Sequence, residues 1–127
     1  LELKDLGILI VDDDSIIREM LRLILKKEGL TKIEEAGDGE KARIMLHKMK
    51  QDVVFLDINM PGEDGFSILD HIKADYSATH VIMFSAETSA EKVKKALAAG
   101  ASGFVAKPFN AARVIDNIKK IFPDLDV

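Results

Sequence analysis

GILIVDDDSIIREMLRLILKKEG, residues 7–29, joins a short continuous apolar run to an amphipathic one through three successive carboxylates. Residues 7–11 have the composition of a strand buried on both faces, where neither side of the sheet meets water. From Ser15 onward Ile17, Met20, Leu21 and Ile24 recur at helical spacing, Lys26 and Lys27 suit a last turn, and Gly29 supplies a stop. A buried strand running into a helix is the opening half of a strand–helix–strand unit. Asp12, Asp13 and Asp14 repel one another in any compact fold, so their place at the end of that strand needs a reason.

The same alternation continues along the chain. KIEEA (32–36) reads as a strand, and GDGEKARIMLHKMK (37–50) as a helix with Ala42, Met45, Leu46 and Met49 on one face. DVVFLD (52–57) is the second strongly apolar run. After a loop containing Pro61, Gly62 and Gly65, a third helix carries Phe66, Ile68, Leu69 and Ile72. HVIMFS (80–85) is strand-like, AEKVKKALAAG (90–100) helical with Gly100 as its stop, and GFVA (103–106) a short strand. A last helix places Ala111, Val114, Ile115, Ile118 and Phe122 on one face. Five strands alternating with five helices, with no Asn-Gly type hairpin turn between strands, predict an α/β fold: a doubly wound, five-stranded parallel sheet covered on both faces.

The 127 residues suit a single domain, residues 1–127, with one good core. A net charge of −4 gives no reason to expect direct binding of nucleic acid or membrane, and no apolar run approaches the roughly 18 residues of a membrane span. The chain has no cysteine, which excludes a disulfide scaffold or thiolate metal site and fits a reducing, cytoplasmic setting. His47, His71 and His80 are scattered, with no spacing that suggests a shared metal.

Ligands of an open parallel sheet bind beyond the carboxyl ends of its strands. The first strand ends in Asp12-Asp13-Asp14, the third in Asp57 with Asn59 beyond it, the fourth in Ser85 followed by Glu87, and the fifth in Lys107. The second ends in Ala36 and Gly37 and contributes nothing comparable. Clustered carboxylates need a cation, and a hard divalent ion such as Mg2+ takes one or two carboxylates while still binding a phosphate oxygen. An acid at a strand end can instead cap the following helix, the expected task of Asp14 or Ser15. Acids, a hydroxyl and an ammonium on one edge point to phosphoryl chemistry.

VDDDS (11–15), EEAGDGEKA (34–42), DINMPGEDGF (57–66), FSAE (84–87) and AAGASGFVAKPF (98–109) together resemble the receiver domain of two-component response regulators, closest to the stand-alone chemotaxis (CheY-like) type. The resemblance implies a flavodoxin-like sheet of order 2-1-3-4-5. It implies that Asp57 accepts a phosphoryl group from a phosphohistidine on a sensor histidine kinase or phosphotransfer protein. By the same resemblance Asp12, Asp13, Asp57 and the carbonyl of Asn59 hold Mg2+, and Lys107 pairs with the phosphoryl group. The resemblance further implies that Ser85 and Phe104 form a switch that alters the surface made by the fourth helix, fifth strand and fifth helix. The phosphoryl group is lost by hydrolysis at a speed tuned by Asn59 and Glu87, and the Lys107–Pro108 bond is cis. The resemblance thus implies a signalling phosphoprotein that assists its own phosphorylation and dephosphorylation, and not a turnover enzyme. Its partner is a downstream protein or a fused output domain, and it is a monomer more readily than a dimer.

Three positions depart from the common pattern: Asp14 stands where an aromatic residue is frequent, Phe104 lacks a tyrosine hydroxyl, and Ser85 lacks a threonine methyl. Three other readings stay open. An aspartate-nucleophile phosphohydrolase would want a second Asp where Asn59 stands; a flavin- or nucleotide-binding module would want a glycine-rich loop after the first strand; a receiver-like scaffold would not be phosphorylated. Relief of strain among the acids predicts that Asp13→Ala weakens metal binding yet raises the melting temperature of the metal-free protein. The chain begins at Leu1, and FPDLDV (122–127) reads either as a native end or as the start of a linker.

Overall fold

A computed structural model describes residues 2–87 and 89–124. Leu125–Val127, within the stretch read as an end or a linker, lie outside the described residues. After a single 3-10 turn at Leu3–Asp5, the elements are β1 (Gly7–Val11), α1 (Ser15–Lys27), β2 (Lys32–Ala36), α2 (Gly39–Lys48) and β3 (Val53–Asp57). They continue as α3 (Gly65–Asp75), β4 (His80–Ser85), α4 (Ala90–Ala98), β5 (Gly103–Ala106) and α5 (Ala111–Ile121). All neighbouring strands are parallel, in the order β2-β1-β3-β4-β5.

Alternation along each strand divides the core in two. Ile8 and Ile10 of β1, Phe55 of β3 and Phe84 of β4 point to one face, where Leu21 and Leu25 of α1 and Val114 and Ile118 of α5 cover them. Leu9, Val11, Val54, Leu56 and Met83 point to the other, beneath Leu46 of α2, Ile68 and Ile72 of α3 and Ala96 of α4. Both faces of the central strands are therefore dry, which is why their sequences are continuous apolar runs without alternation.

Each helix starts at a polar side chain that accepts a backbone N–H of its first turn: Asp14, Asp38, Asp64, Ser89 and Asn110. Gly29 and Gly100 follow the ends of α1 and α4 at φ of 103° and 105°, as stop signals should. Three expected core positions differ. Met20 is exposed because the buried stripe of α1 runs through Leu21 and Leu25, about a quarter turn away. Met49 is exposed because it caps α2 in extended backbone and leaves the helical face. Ala111, the first residue of α5, is exposed. Phe122 lies beyond the end of α5 but still packs, partly buried, against the core beneath α1 and α5, and it meets His80 edge-on, with ring centroids 5.4 Å apart.

The turn from β3 into α3 depends on Gly65. A Cβ there would stand 2.3 Å from the carbonyl oxygen of Asp57 and 2.9 Å from Cα of Ile58. Both neighbours are backbone, so neither yields without moving the end of β3. Gly65→Ala is expected to lower stability by roughly 2 kcal/mol, in the range for overpacking, as read from the midpoint of a urea unfolding curve.

Candidate functional site

The sheet reverses its order between β1 and β3, and there the acids meet. Val11 pairs with Leu56, so the next residues, Asp12 just beyond β1 and Asp57 at the end of β3, stand side by side. Ser85 pairs with Ala106 at the ends of β4 and β5, and the amide of Lys107 donates to the Ser85 carbonyl at 2.8 Å. Register alone thus delivers four of the expected residues to one edge.

Asp12 and Asp57 are buried, at 0% and 3% exposure, while Asp13 beside them is exposed. The ammonium of Lys107 bridges the two buried acids, with Nζ 3.0 Å from Oδ2 of Asp12 and 3.4 Å from Oδ1 of Asp57. It also stands 4.9 Å from the ring centroid of the buried Phe84, a favourable seat for a partly desolvated cation. Asp57 Oδ1 accepts the amide of Asn59 at 3.3 Å, and Asp12 Oδ1 accepts the amide of Asp14 at 2.8 Å. Asp14 turns its own carboxylate away from the cluster to the amide of Ile16, so it and not Ser15 caps α1.

Burial and the neighbouring Asp12 carboxylate together push the Asp57 carboxyl up from 3.8 to about 6, against the pull of Lys107 and the Asn59 amide. Three carboxylates, Asp12, Asp13 and Asp57, thus share the one ammonium of Lys107. Asp12, Asp13 and Asp57 each bring a carboxylate oxygen within 4.8 Å of the others, an arrangement able to hold a metal ion. An all-oxygen donor set suits a hard divalent cation. The repulsion anticipated for the acid cluster falls on buried Asp57. Exposed Asp13 is screened by solvent, so the expected stabilisation of the metal-free protein moves from Asp13→Ala to Asp57.

The remaining predicted residues are held by other contacts. Ser85 is fully buried, and its Oγ accepts the amide of Glu87 at 3.0 Å. Glu87 directs its carboxylate to Lys92, 2.7 Å away. Phe104 is half-buried on β5, against the core beneath α2–α4. The Lys107–Pro108 peptide is cis.

Two contributors escaped the sequence analysis. Phe84 reads as plain core, and its seat for Lys107 appears only once β4 and β5 are paired. Arg18, on α1, donates from Nη1 to the backbone carbonyl of Asp12 at 2.6 Å and from Nε to Glu35 at 3.1 Å. The end of β2 therefore reaches the site after all, through Glu35.

The family model of the response regulator receiver domain matches residues 8–119. The chain is 40% identical to the chemotaxis protein CheY-3 of Vibrio cholerae over 124 residues, 96% of this chain and 95% of that protein. Among solved structures it resembles chemotaxis protein CheY4 of Vibrio cholerae, with a TM-score of 0.85, 32% identity, and 92% of this chain and 98% of that one covered. It is also similar to the CheX-CheY-BeF3-Mg+2 complex from Borrelia burgdorferi, with a TM-score of 0.85, 36% identity, and 92% and 89% covered. No helix among the described residues is long and apolar enough to cross a membrane.

Proposed function

Because this chain belongs to the response regulator receiver family, a family of two-component signalling switches, we propose that it carries a signal as a phosphoryl group on Asp57. The observation that bears most of the weight is the Lys107 ammonium lying between buried Asp12 and Asp57, in a site where three carboxylates meet one cation. The donor is a phosphohistidine on a sensor histidine kinase or phosphotransfer protein. An oxygen of Asp57 forms the new P–O bond as the P–N bond to the donor imidazole breaks, and the ring nitrogen leaves with the electron pair. A carboxylate is a weak nucleophile, so the residues act by positioning and by neutralising charge.

Asp12, Asp13 and Asp57 with the carbonyl of Asn59 would hold Mg2+, which when bound supplies the charge that the phosphoryl oxygens require. Lys107, already at Oδ1 of Asp57, meets the phosphoryl group. Ser85 exchanges the Glu87 amide for a phosphoryl oxygen, and Phe104 follows it inward. The α4–β5–α5 surface is thereby switched for a downstream protein or a fused output domain. Water later attacks phosphorus, breaks the P–O bond and restores the carboxylate. Asn59 and Glu87, flanking that approach, tune the rate. In this account a monomeric cytoplasmic domain, residues 1–127, acts as a switch.

Intact-protein mass after incubation with a small phosphodonor and Mg2+ tests the proposal. One added phosphoryl group is expected, dependent on Mg2+. A protein that gains none from either the small donor or a cognate phosphohistidine would be a scaffold with a receiver fold. Repeated turnover of a phosphomonoester would instead favour a hydrolase.

A further inference from the structure

The acid pair does not hold itself in place. Arg18 sits one helical turn beyond the Asp14 cap, with its side chain 19% exposed. Its guanidinium makes two bonds in different directions: Nε to Oε1 of Glu35 on β2, and Nη1 to the backbone carbonyl of Asp12. It lies against Gly37, where even a Cβ would come within 3.3 Å of Nη1. Arg22, one turn further on, holds the other oxygen of Glu35 at 2.6 Å and the carbonyl of Ile33 at 3.0 Å, and makes no hydrogen bond to Asp12. Both arginines tie α1 to β2, but only one reaches the site.

The carbonyl of Asp12 belongs to the planar peptide that leads into Asp13. That plane sets the direction in which the Asp13 side chain departs. Asp12 is otherwise held from its own amide, which donates to Ala36 at 3.2 Å, and from its carboxylate by the amide of Asp14 and the ammonium of Lys107. Exposed Asp13 has no such anchor of its own among the described residues. We propose, on the basis of the cation site described above, that Arg18 is a positioning residue: it clamps the Asp12–Asp13 peptide so that both carboxylates address one divalent cation.

This proposal opposes simple electrostatics, and the sign of the effect separates the two. A guanidinium close to a cation site repels the cation, so its removal by charge alone would tighten Mg2+ binding. If Arg18 acts by placing Asp12 and Asp13, removal loosens binding instead. Groups that orient metal ligands typically contribute 10- to 100-fold in affinity, and a residue holding the ligand's backbone belongs at about tenfold.

The test is Mg2+ titration of the full chain, followed by amide chemical shifts, for the parent, Arg18→Ala, Arg18→Lys and Arg22→Ala. The parent binds Mg2+, Arg18→Ala binds roughly tenfold more weakly, and Arg22→Ala stays within about twofold although it also loses a bond to Glu35. Arg18→Lys retains charge and bulk and so guards against a misfolded alanine variant. An ammonium cannot reproduce the planar fork, and this variant weakens by about threefold or more. The amide shift of Asp13, which reports on the hydrogen bond to the preceding carbonyl, moves in both Arg18 variants and stays in Arg22→Ala. Unchanged or tighter binding in the Arg18 variants, or equal weakening in Arg22→Ala, overturns the positioning role and leaves the cation site standing. Failure of the parent chain to bind Mg2+ removes the cation site and the positioning role with it.

Discussion

A Lys107→Met variant is expected to take up a phosphoryl group from a small phosphodonor roughly a hundredfold more slowly than the parent at saturating Mg2+, the usual cost of removing one preorganised donor from developing oxyanion charge. Methionine keeps most of the volume and apolar stem of lysine, so packing against Phe84 survives while the ammonium is lost. That ammonium is held within 3.0 and 3.4 Å of Asp12 and Asp57 before any phosphoryl group arrives, so it need not reorganise to meet one. Lys107→Arg tests position against charge. It retains a cation, but its longer planar fork does not fit between two carboxylates spaced for an ammonium. Its rate is expected to fall between those of the parent and the methionine variant. A time course of intact-protein mass reads all three. Uptake by Lys107→Met within about threefold of the parent would mean that the lysine serves only the metal-free fold.

The second large effect is on stability, and its sign reverses the usual expectation for a polar substitution in a core. Asp57 is 3% exposed, and its carboxyl titrates near 6 in the folded protein against 3.8 as the reference. The folded chain therefore binds this proton more tightly than the unfolded chain. The contribution of Asp57 to stability is intact below about pH 4, falls as the pH rises from about 4 to about 6, and remains unfavourable above that. The shift corresponds to on the order of 2–3 kcal/mol for a buried group. Asp57→Asn is neutral at every pH, and its Oδ1 can still accept from the Asn59 amide. Without Mg2+ the variant is expected to be more stable than the parent at pH 7 by about 1–3 kcal/mol, with the difference vanishing near pH 4. Saturating Mg2+ should erase most of the gain, because binding to the folded parent stabilises it by mass action. Chemical denaturation at several pH values, with and without Mg2+, measures each part. A variant less stable than the parent at pH 7 in the absence of metal would show that Lys107 already compensates both acids.

The legibility of this fold in its sequence follows from where water is excluded. HVIMFS and GFVA coincide with β4 and β5 because parallel strands in a covered sheet are short apolar runs between polar loops, whereas KIEEA coincides with the edge strand β2, which buries only Ile33 and Ala36. The strand order came with the family resemblance, since alternation alone is compatible with several orders. Helix faces were harder at their ends. Met49 and Phe122 continue an apolar pattern after the backbone has left the helix, and periodicity carries no information about where that happens.

The site divides along the same line. Acids, hydroxyl and lysine were legible because a parallel sheet sends every strand's carboxyl end to one edge. The Lys107–Asp12 pair spans 95 positions, so its existence follows from register and not from spacing. Gly65 was legible as a loop residue, but its reason, the backbone of Asp57 and Ile58 pressed against it, is a tertiary contact. Arg18 reads in sequence as an ordinary polar residue of an amphipathic helix. Only the pairing of β1 with β2 brings Glu35 and the Asp12 carbonyl within its reach.

The most direct test of the central claim locates the phosphoryl group. After reaction with a small phosphodonor and Mg2+, borohydride reduces an acyl phosphate at the carboxyl carbon to an alcohol, and peptide mass mapping identifies the residue that carried it. Reduction at Asp57 alone, abolished by omission of Mg2+, is the result predicted by the geometry of Asp12, Asp57 and Lys107. Reduction at Asp12 or Asp13, or a phosphoryl group that resists borohydride and maps to Ser85, would contradict it.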